Sequence, residues 1–437
     1  MDLTPKEIPE AANESTEDSP PITPEITESM LMRTQTETED KPRISDREVM
    51  EHTASMWRYR PITDDSTEQH TESHCKRTVT ANAEIIGARV RGKKHKHEGT
   101  NCDDYFETAA SDDFALCVVC DGAGSKPLSR IGSRVCCETA AGFLKEQLPP
   151  LFDGEELRRS ICADISSDEF MLGAGRLAAL VQQSACEAFG AVKKELEVIR
   201  DNESYRKALG RAPVLSDMSS TFLAAVVVPL EIDGLAQMLV ASVQIGDGCI
   251  CAINSGADAD ECLKLMGEAD SGEFSGETDF ISEKNILPQE IRRRTKISRG
   301  CSDTVLLMTD GVADDYFPAQ PMMKRLYLDL CLNGIFPMTG ELSDSNGKPP
   351  VCYSSVSPER ESVALQYAKQ LISDKSAHAA DDLWNRRDTL RPHSLEAFGI
   401  SLGDSPNERL RTWLDNYNER GSFDDRTLAA IRLQKRT

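Results

Sequence analysis

From position 83 onward, short and almost wholly apolar runs alternate with longer stretches in which apolar residues recur every three or four positions. The runs AEIIGARV (83–90) and DFALCVVC (113–120) have strand length, and they are too continuous to leave one face in water. They predict strands buried on both sides. Leu128, Ile131, Val135, Phe143, Leu144 and Leu148 share one helical face, with Pro127 where a helix start tolerates it. Leu177, Leu180, Val181, Phe189, Val192, Leu196 and Ile199 predict a second long helix over 174–200. The stretch 220–253 reads as a three-strand meander with turns at Asp233-Gly234 and Asp247-Gly248. After a polar loop comes the strand DTVLLMTDGV (303–312). A mixed stretch follows over 313–397, with a loop at 343–360 and helical spacing at 361–373. A helix at 406–419, carrying Leu410, Trp413, Leu414 and Tyr417, leads into a closing strand, DDRTLAAIRL (424–433). Helices that cluster in sequence and strands that pair as hairpins predict an α+β layered sandwich, not a doubly wound parallel sheet.

Residues 1–75 lack this patterning. They contain no aromatic residue before Trp57 and are rich in Thr, Ser, Glu and Pro, which predicts a disordered acidic tail ahead of a domain over 80–437. Solvated linker and phosphorylated tail both remain open for it. The net charge of −23 over 437 residues argues against nucleic-acid binding and suits cation binding. The longest apolar run, FLAAVVVPL (222–230), is far short of a membrane span, and the first residues lack the pattern of a signal peptide, so the expected location is cytoplasmic. Of the 14 cysteines, many lie in apolar runs and read as reduced core residues. Cys117 and Cys120, three apart on a strand, face opposite ways, which disfavours a redox or zinc pair.

The acids at the strand ends change the picture from fold to chemistry. Asp-Gly occurs five times. Asp153-Gly154 and Asp233-Gly234 read as ordinary turns, and Asp247-Gly248 is ambiguous. Asp121-Gly122 and Asp310-Gly311 each end a long apolar strand with no partner strand following. Asp425 precedes the closing strand, and Asp103 and Asp104 precede the strand that ends at Asp121. Buried carboxylates converging from several strand ends repel one another and lose hydration, so they call for a cation between them. Oxygen-only ligands suit magnesium or manganese rather than zinc, and a glycine after the acid lets its carbonyl, as at Gly122, approach an ion. Two such ions sharing Asp121 would activate a water near neutral pH, which is hydrolytic chemistry suited to a phosphate ester. A dinucleotide loop is excluded at DGAGSKP because Pro127 fills the third glycine position, and no Walker A sequence is present.

GKKHKHEGTNCDDYF (92–106), VVCDGAGSKPLSRIGS (118–133), SSTFLAAVV (219–227), IGDGCICAI (245–253), GEFSGETDFIS (272–282), LLMTDGV (306–312) and DDRTLAAI (424–431) occur in this order. Together they resemble the metal-dependent type-2C Ser/Thr protein phosphatases, in the subgroup common in bacteria, over about residues 83–433. The resemblance implies an α-β-β-α four-layer sandwich of two mainly antiparallel sheets flanked by helices. It also implies an Mg2+- or Mn2+-dependent phosphatase that hydrolyses phosphoserine and phosphothreonine in phosphoproteins by a metal-bridging hydroxide, with two ions and a weaker third. By position it makes Asp121 the bridging ligand, with Gly122 through its carbonyl, and places Asp310 and Asp425 on one ion. Asp103 and Asp104 match the acidic pair that holds metal-bound waters, and Asp247 the acid of the third ion.

Two positions depart from the pattern. Ala123 stands where many relatives carry a histidine proposed as general acid, and His95 stands where they carry a phosphate-gripping arginine. For the His95 stretch three readings stay open: phosphate contact, an exposed basic loop, or a zinc cluster with His97 and Cys102. A module that binds phosphoproteins without turning them over is the alternative to an enzyme.

Overall fold

In the computed structural model the two apolar runs lie in different sheets that face each other. The structure describes residues 57–63, 67–255, 262–267, 278–336, 395, 399–417 and 423–434, all within one unit spanning 50–437. In chain order the elements that matter below are β1 (Ser73–Val79), β2 (Ala83–Val90), α1 (Lys93–Glu98), β3 (Tyr105–Ala110), β4 (Ala115–Cys120), α2 (Ser129–Gln147), α3 (Asp168–Arg200), β5 (Phe222–Ile232), β6 (Leu235–Ile245), β7 (Cys249–Ile253), β8 (Leu263–Leu265), β9 (Thr295–Gly300), β10 (Thr304–Met308), α4 (Asp310–Ala313), α5 (Ala319–Leu332), α6 (Pro406–Asn416) and β11 (Arg426–Leu433). Among the described residues one sheet has the order β1-β2-β11-β10-β7-β8 and the other β3-β4-β5-β6-β9. Every ladder is antiparallel.

The continuous apolar runs follow from this layering. Along β4, Ala115, Cys117 and Val119 face the opposite sheet and pack with Ile85, Val305, Leu307, Ala429 and Ile431. Leu116, Val118 and Cys120 face the other way, into a core with Ile131 and Leu144 of α2 and Leu177 and Val181 of α3. On the far side, Leu326 and Leu330 of α5 and Leu410, Trp413 and Leu414 of α6 cover Ile86, Leu306 and Leu428. Both sheets are therefore buried on both faces, and the four-layer α-β-β-α sandwich is as expected. Cys117 and Cys120 do lie on opposite faces, and the cysteines described are free thiols.

Several elements differ from the sequence expectation. The Asp233-Gly234 turn is a tight hairpin, with φ of 54° and 75° at its two residues. Asp247-Gly248 is not a meander turn, because β6 and β7 belong to different sheets and the chain crosses the sandwich there. The expected polar loop before β10 contains β8 and β9, and α3 begins at Asp168, earlier than its apolar stripe. Over 313–397, α5 is present, while the loop at 343–360 and the helix at 361–373 lie outside the described residues.

The largest correction concerns the N-terminal tail. Its portion 57–63 and 67–75 is laid against the domain, and 1–56 and 64–66 lie outside the described residues. β1 pairs with β2 from Ser73. The buried Arg130 guanidinium donates to the Glu68 carbonyl and to Thr67 Oγ1, and the His70 N–H donates to Asn101 Oδ1 at 2.8 Å. Backbone and side-chain hydrogen bonds fix this stretch, which an apolar count does not register. A chain beginning at Lys76 is therefore expected to melt lower than one beginning at Trp57. With about 1 kcal/mol per buried hydrogen bond and 2–4 °C per kcal/mol, the drop is roughly 5–10 °C. Thermal denaturation of the two truncations checks it, and equal melting temperatures would show the stretch to be energetically idle.

Candidate metal centre

Antiparallel pairing decides where the acids meet. Tyr105 at the start of β3 is opposite Cys120 at the end of β4, and Leu428 near the start of β11 is opposite Met308 at the end of β10. Asp103 and Asp104 are thereby brought beside Asp121, and Asp424 and Asp425 beside Asp310. The crossover between the sheets delivers Asp247 to the same edge. Donor atoms of Asp121, Asp247 and Asp310 lie within 4.8 Å of one another.

The backbone around these acids is tightly seated. The Asp121 N–H donates to Thr221 Oγ1 (2.9 Å), and its carbonyl accepts from the Thr221 N–H (2.8 Å). A Cβ on Gly122 would stand 2.6 Å from the Asp103 carbonyl oxygen, so close packing requires glycine there. Gly92 and Gly311 are needed for the same reason: a side chain on either would strike the backbone carbonyls of Asp424 and Asp425, respectively.

Three buried carboxylate oxygens, Asp104 Oδ1, Asp247 Oδ1 and Asp310 Oδ1, have no hydrogen-bond donor. Their partner atoms show how each acid is aimed: Asp104 Oδ2 accepts from Thr309 Oγ1 (2.9 Å) and Thr427 Oγ1 (2.6 Å), and Asp247 Oδ2 accepts from Thr278 Oγ1. Burial, then the charges of Asp310 and Asp104, hold the Asp121 carboxyl well above the usual carboxylate range. Burial and nearby Asp247, Asp424 and Asp314 push Asp310 up to about 7, against a favourable hydrogen bond with Asp121. Asp104 is raised by burial and by Asp425, and Asp103 by the same causes to about 7. Crowded acids with orphaned oxygens and, among the described residues, no cation paired with Asp121 or Asp310 fit a hard divalent cation.

Asp425, expected as an ion ligand, lies outside the trio of Asp121, Asp247 and Asp310, and its donor atoms converge instead with those of His95 and Asp424. Its oxygens are engaged by three donors: Oδ1 accepts from the Gly92 N–H (2.6 Å), and Oδ2 from the Asp103 N–H (2.5 Å) and His95 Nδ1 (2.9 Å). His95, expected at the phosphate, is only 3% exposed and is held by this pair, with Nε2 3.8 Å from Asp103 Oδ2. Burial opposes its charge, but Asp425 and Asp103 outweigh burial and raise it to about 9. Burial likewise opposes ionisation of Asp425, and His95 with the two backbone N–H groups holds it below the usual range. The other two readings of the stretch also fall. His95 lies in helix α1 rather than on an exposed loop, and His97 Nδ1 accepts from the Arg58 N–H, so the zinc cluster is not assembled.

Two residues at the site, Asp424 and Asp314, were not singled out from the sequence. Asp424 has a carboxylate oxygen within 4.8 Å of donor atoms on His95 and Asp425, and its charge raises Asp121, Asp310 and Asp314. Asp314 is itself raised by burial and by Asp247. Its spacing of four from Asp310, across α4 and the turn after it, was the available signal. Lys94 donates its N–H to the Phe423 carbonyl (2.9 Å), and its Nζ is 3.9 Å from where a Cβ on Gly124 would sit. It thus spans the loops after Asp121 and before Asp424.

The His95–Asp425 pair has a pH signature in the metal-free protein. The histidine is raised from 6.5 to about 9, so its stabilisation is complete below pH 6.5 and is lost as pH rises through 9. The loss is on the order of 3 kcal/mol. Melting temperatures from pH 6 to 10 should fall more steeply for the wild type than for His95→Gln, and parallel profiles would exclude a charged pair.

The family model described as Protein phosphatase 2C matches residues 91–331. No curated protein matches the chain. Solved structures similar to it include a serine-threonine phosphatase 2C from Toxoplasma gondii, 11% identical, covering 83% of this chain and 99% of that one with a TM-score of 0.38. The serine/threonine phosphatase Stp1 from Staphylococcus aureus is 12% identical, with coverage of 84% and 100% and a TM-score of 0.31. RsbX in complex with magnesium is 10% identical, with coverage of 83% and 100% and a TM-score of 0.31. Since the family model spans more than half of the sequence and takes in α1, β4 and β10 with their acids, the chain belongs to the protein phosphatase 2C family.

Proposed function

We propose that this protein is a divalent-metal-dependent phosphatase that hydrolyses phosphoserine and phosphothreonine monoesters in phosphoproteins. The observation that carries the reading is the trio of buried, donorless carboxylate oxygens on Asp104, Asp247 and Asp310 beside Asp121. Asp121, which feels the charges of Asp310, Asp104 and Asp424 together, would be the central residue holding the metal, with the Gly122 carbonyl following it. Asp310 and Asp424 would also hold metal, with Asp424 taking the role first expected of Asp425. Asp247 and Asp314, which raise or are raised by their acidic neighbours, would hold a further, weaker ion. When bound, magnesium or manganese supplies a water of lowered pKa and positive charge against the phosphoryl oxygens.

The chain's own residues do the rest. Asp103 and Asp104 accept hydrogen bonds from water at the rim and the floor of the centre. Asp425 and His95 orient the Asp103 backbone rather than touching substrate. Lys94 is the cation left for the phosphoryl oxygens that metal does not reach; among the described residues its ammonium forms no ion pair.

Hydrolysis of a phosphothreonine peptide should require Mn2+ or Mg2+ and stop in EDTA, with phosphate release as the measurement. Tight peptide binding without release at saturating Mn2+ would instead identify a binding module. Asp310→Asn should abolish turnover yet raise the metal-free melting temperature at pH 8, because Asp310, raised to about 7, adds repulsion as pH climbs past the ordinary carboxylate range. Lys94→Ala should raise the KM for phosphopeptide by about ten-fold with a smaller effect on kcat, and Lys94→Arg should retain most affinity. An unchanged KM in Lys94→Ala would remove the lysine from the phosphate site.

A further inference from the structure

Residues 57–63 run along the outside of α1 and reach the loop that carries Asp424. The Trp57 ring stacks on Phe423, with centroids 5.0 Å apart and planes at 16°, and meets His97 edge-on at 5.1 Å. The Arg58 N–H donates to His97 Nδ1 (3.1 Å), the Arg60 N–H to the Lys96 carbonyl (2.7 Å), and the Thr63 N–H to the Gly99 carbonyl (3.3 Å). The Arg60 carbonyl accepts from Nη2 of Arg91, whose side chain is buried (2.7 Å). Helix α1 has only six residues and no side-chain N-cap, so it cannot hold its shape by its own hydrogen bonds. Yet α1 must present His95 to Asp425, and its Lys94 N–H must hold the Phe423 carbonyl.

We infer that Trp57 is a positioning residue for the metal centre: by clamping Phe423 against α1 it fixes the adjacent Asp424, so the segment preceding the domain sets the affinity for metal. This rests on the proposed role of Asp424 as an ion ligand. The mechanism is the orientation of a ligand by an outer contact, whose removal typically weakens metal binding by about 10–100-fold. Peeling the segment away, by a binding partner or by cleavage after it, would lower activity at limiting metal without touching the acids.

The test uses the full chain with Trp57→Ala and Trp57→Phe. Hydrogen exchange in the metal-free protein reads the clamp directly, through the amides of Gly92 and Asp103 that donate to Asp425. Mn2+ titration by calorimetry and the Mn2+ needed for half-maximal hydrolysis of p-nitrophenyl phosphate read its consequence. In Trp57→Ala, exchange at the two amides should quicken, and both Mn2+ constants should rise by about ten-fold or more, with kcat at saturating metal retained. Trp57→Phe, which keeps a stacking ring, should restore all three. Unchanged exchange and Mn2+ constants in Trp57→Ala would overturn the inference. So would a fall in kcat that saturating metal and the phenylalanine variant both fail to restore. A wild-type chain that binds no Mn2+ would instead refute the metal centre itself, and the exchange measurement would still decide whether Trp57 holds the loop.

Discussion

Like charges held in a dry place are the constraint around which this structure is organised. Asp104, Asp121 and Asp310 are each driven toward the protonated form by burial and by their neighbours. A fold that brings them together carries a destabilisation that a bound cation offsets. Nothing in the two sheets or the three cores requires these acids. They are imposed on a sandwich whose cores, from Ile85 and Val119 between the sheets to Trp413 beneath α6, pack as ordinary apolar layers.

A second set of interactions keeps the acids apart from a neighbouring ion pair. Asp425 is engaged by His95 and by the N–H groups of Gly92 and Asp103, while the charge of Asp424 beside it bears on Asp121 and Asp310. Burying such a pair costs desolvation, which is repaid only where geometry and extra hydrogen bonds are good. Here the pair has both, and it ties α1, the start of β3 and the start of β11 at one point. Gly92 and Gly311 leave no room for a side chain against the peptide planes of Asp424 and Asp425, so the direction in which each acid leaves the backbone is set by packing. Trp57 closes this arrangement from outside.

Much of the layout was legible in the chain itself. Apolar runs buried on both faces gave β2, β4, β5, β6, β10 and β11, and helical periodicity gave α2, α3 and α6, because burial of both faces leaves a continuous apolar signature. Short polar elements were not legible. β1, with the burial of a half-exposed edge strand, and α1, with its run of lysines and histidines, are held by backbone pairing and by tertiary partners. The N-terminal stretch was misjudged for the same reason: its contacts are hydrogen bonds, ion pairs such as Arg134 with Glu68, and the aromatic packing of Trp57, which composition does not weigh.

At the site, the sequence by itself determined that acids end the strands, which residue types they are, and hence that oxygen ligands for a hard cation were present. Only the tertiary structure decided which acids face which partner. In DDRT (424–427) two adjacent carboxylates precede a strand, and their order in the chain does not say which of them acts on the other acids. His95 pairs with Asp425, and it is Asp424 whose charge bears on Asp121 and Asp310. Asp247 was ambiguous for a similar reason, since a turn and a crossing between sheets look alike until the pairing of β7 with β10 is known. Identity and spacing are local properties of a chain; the direction of a side chain at a buried edge is fixed by what packs against its backbone.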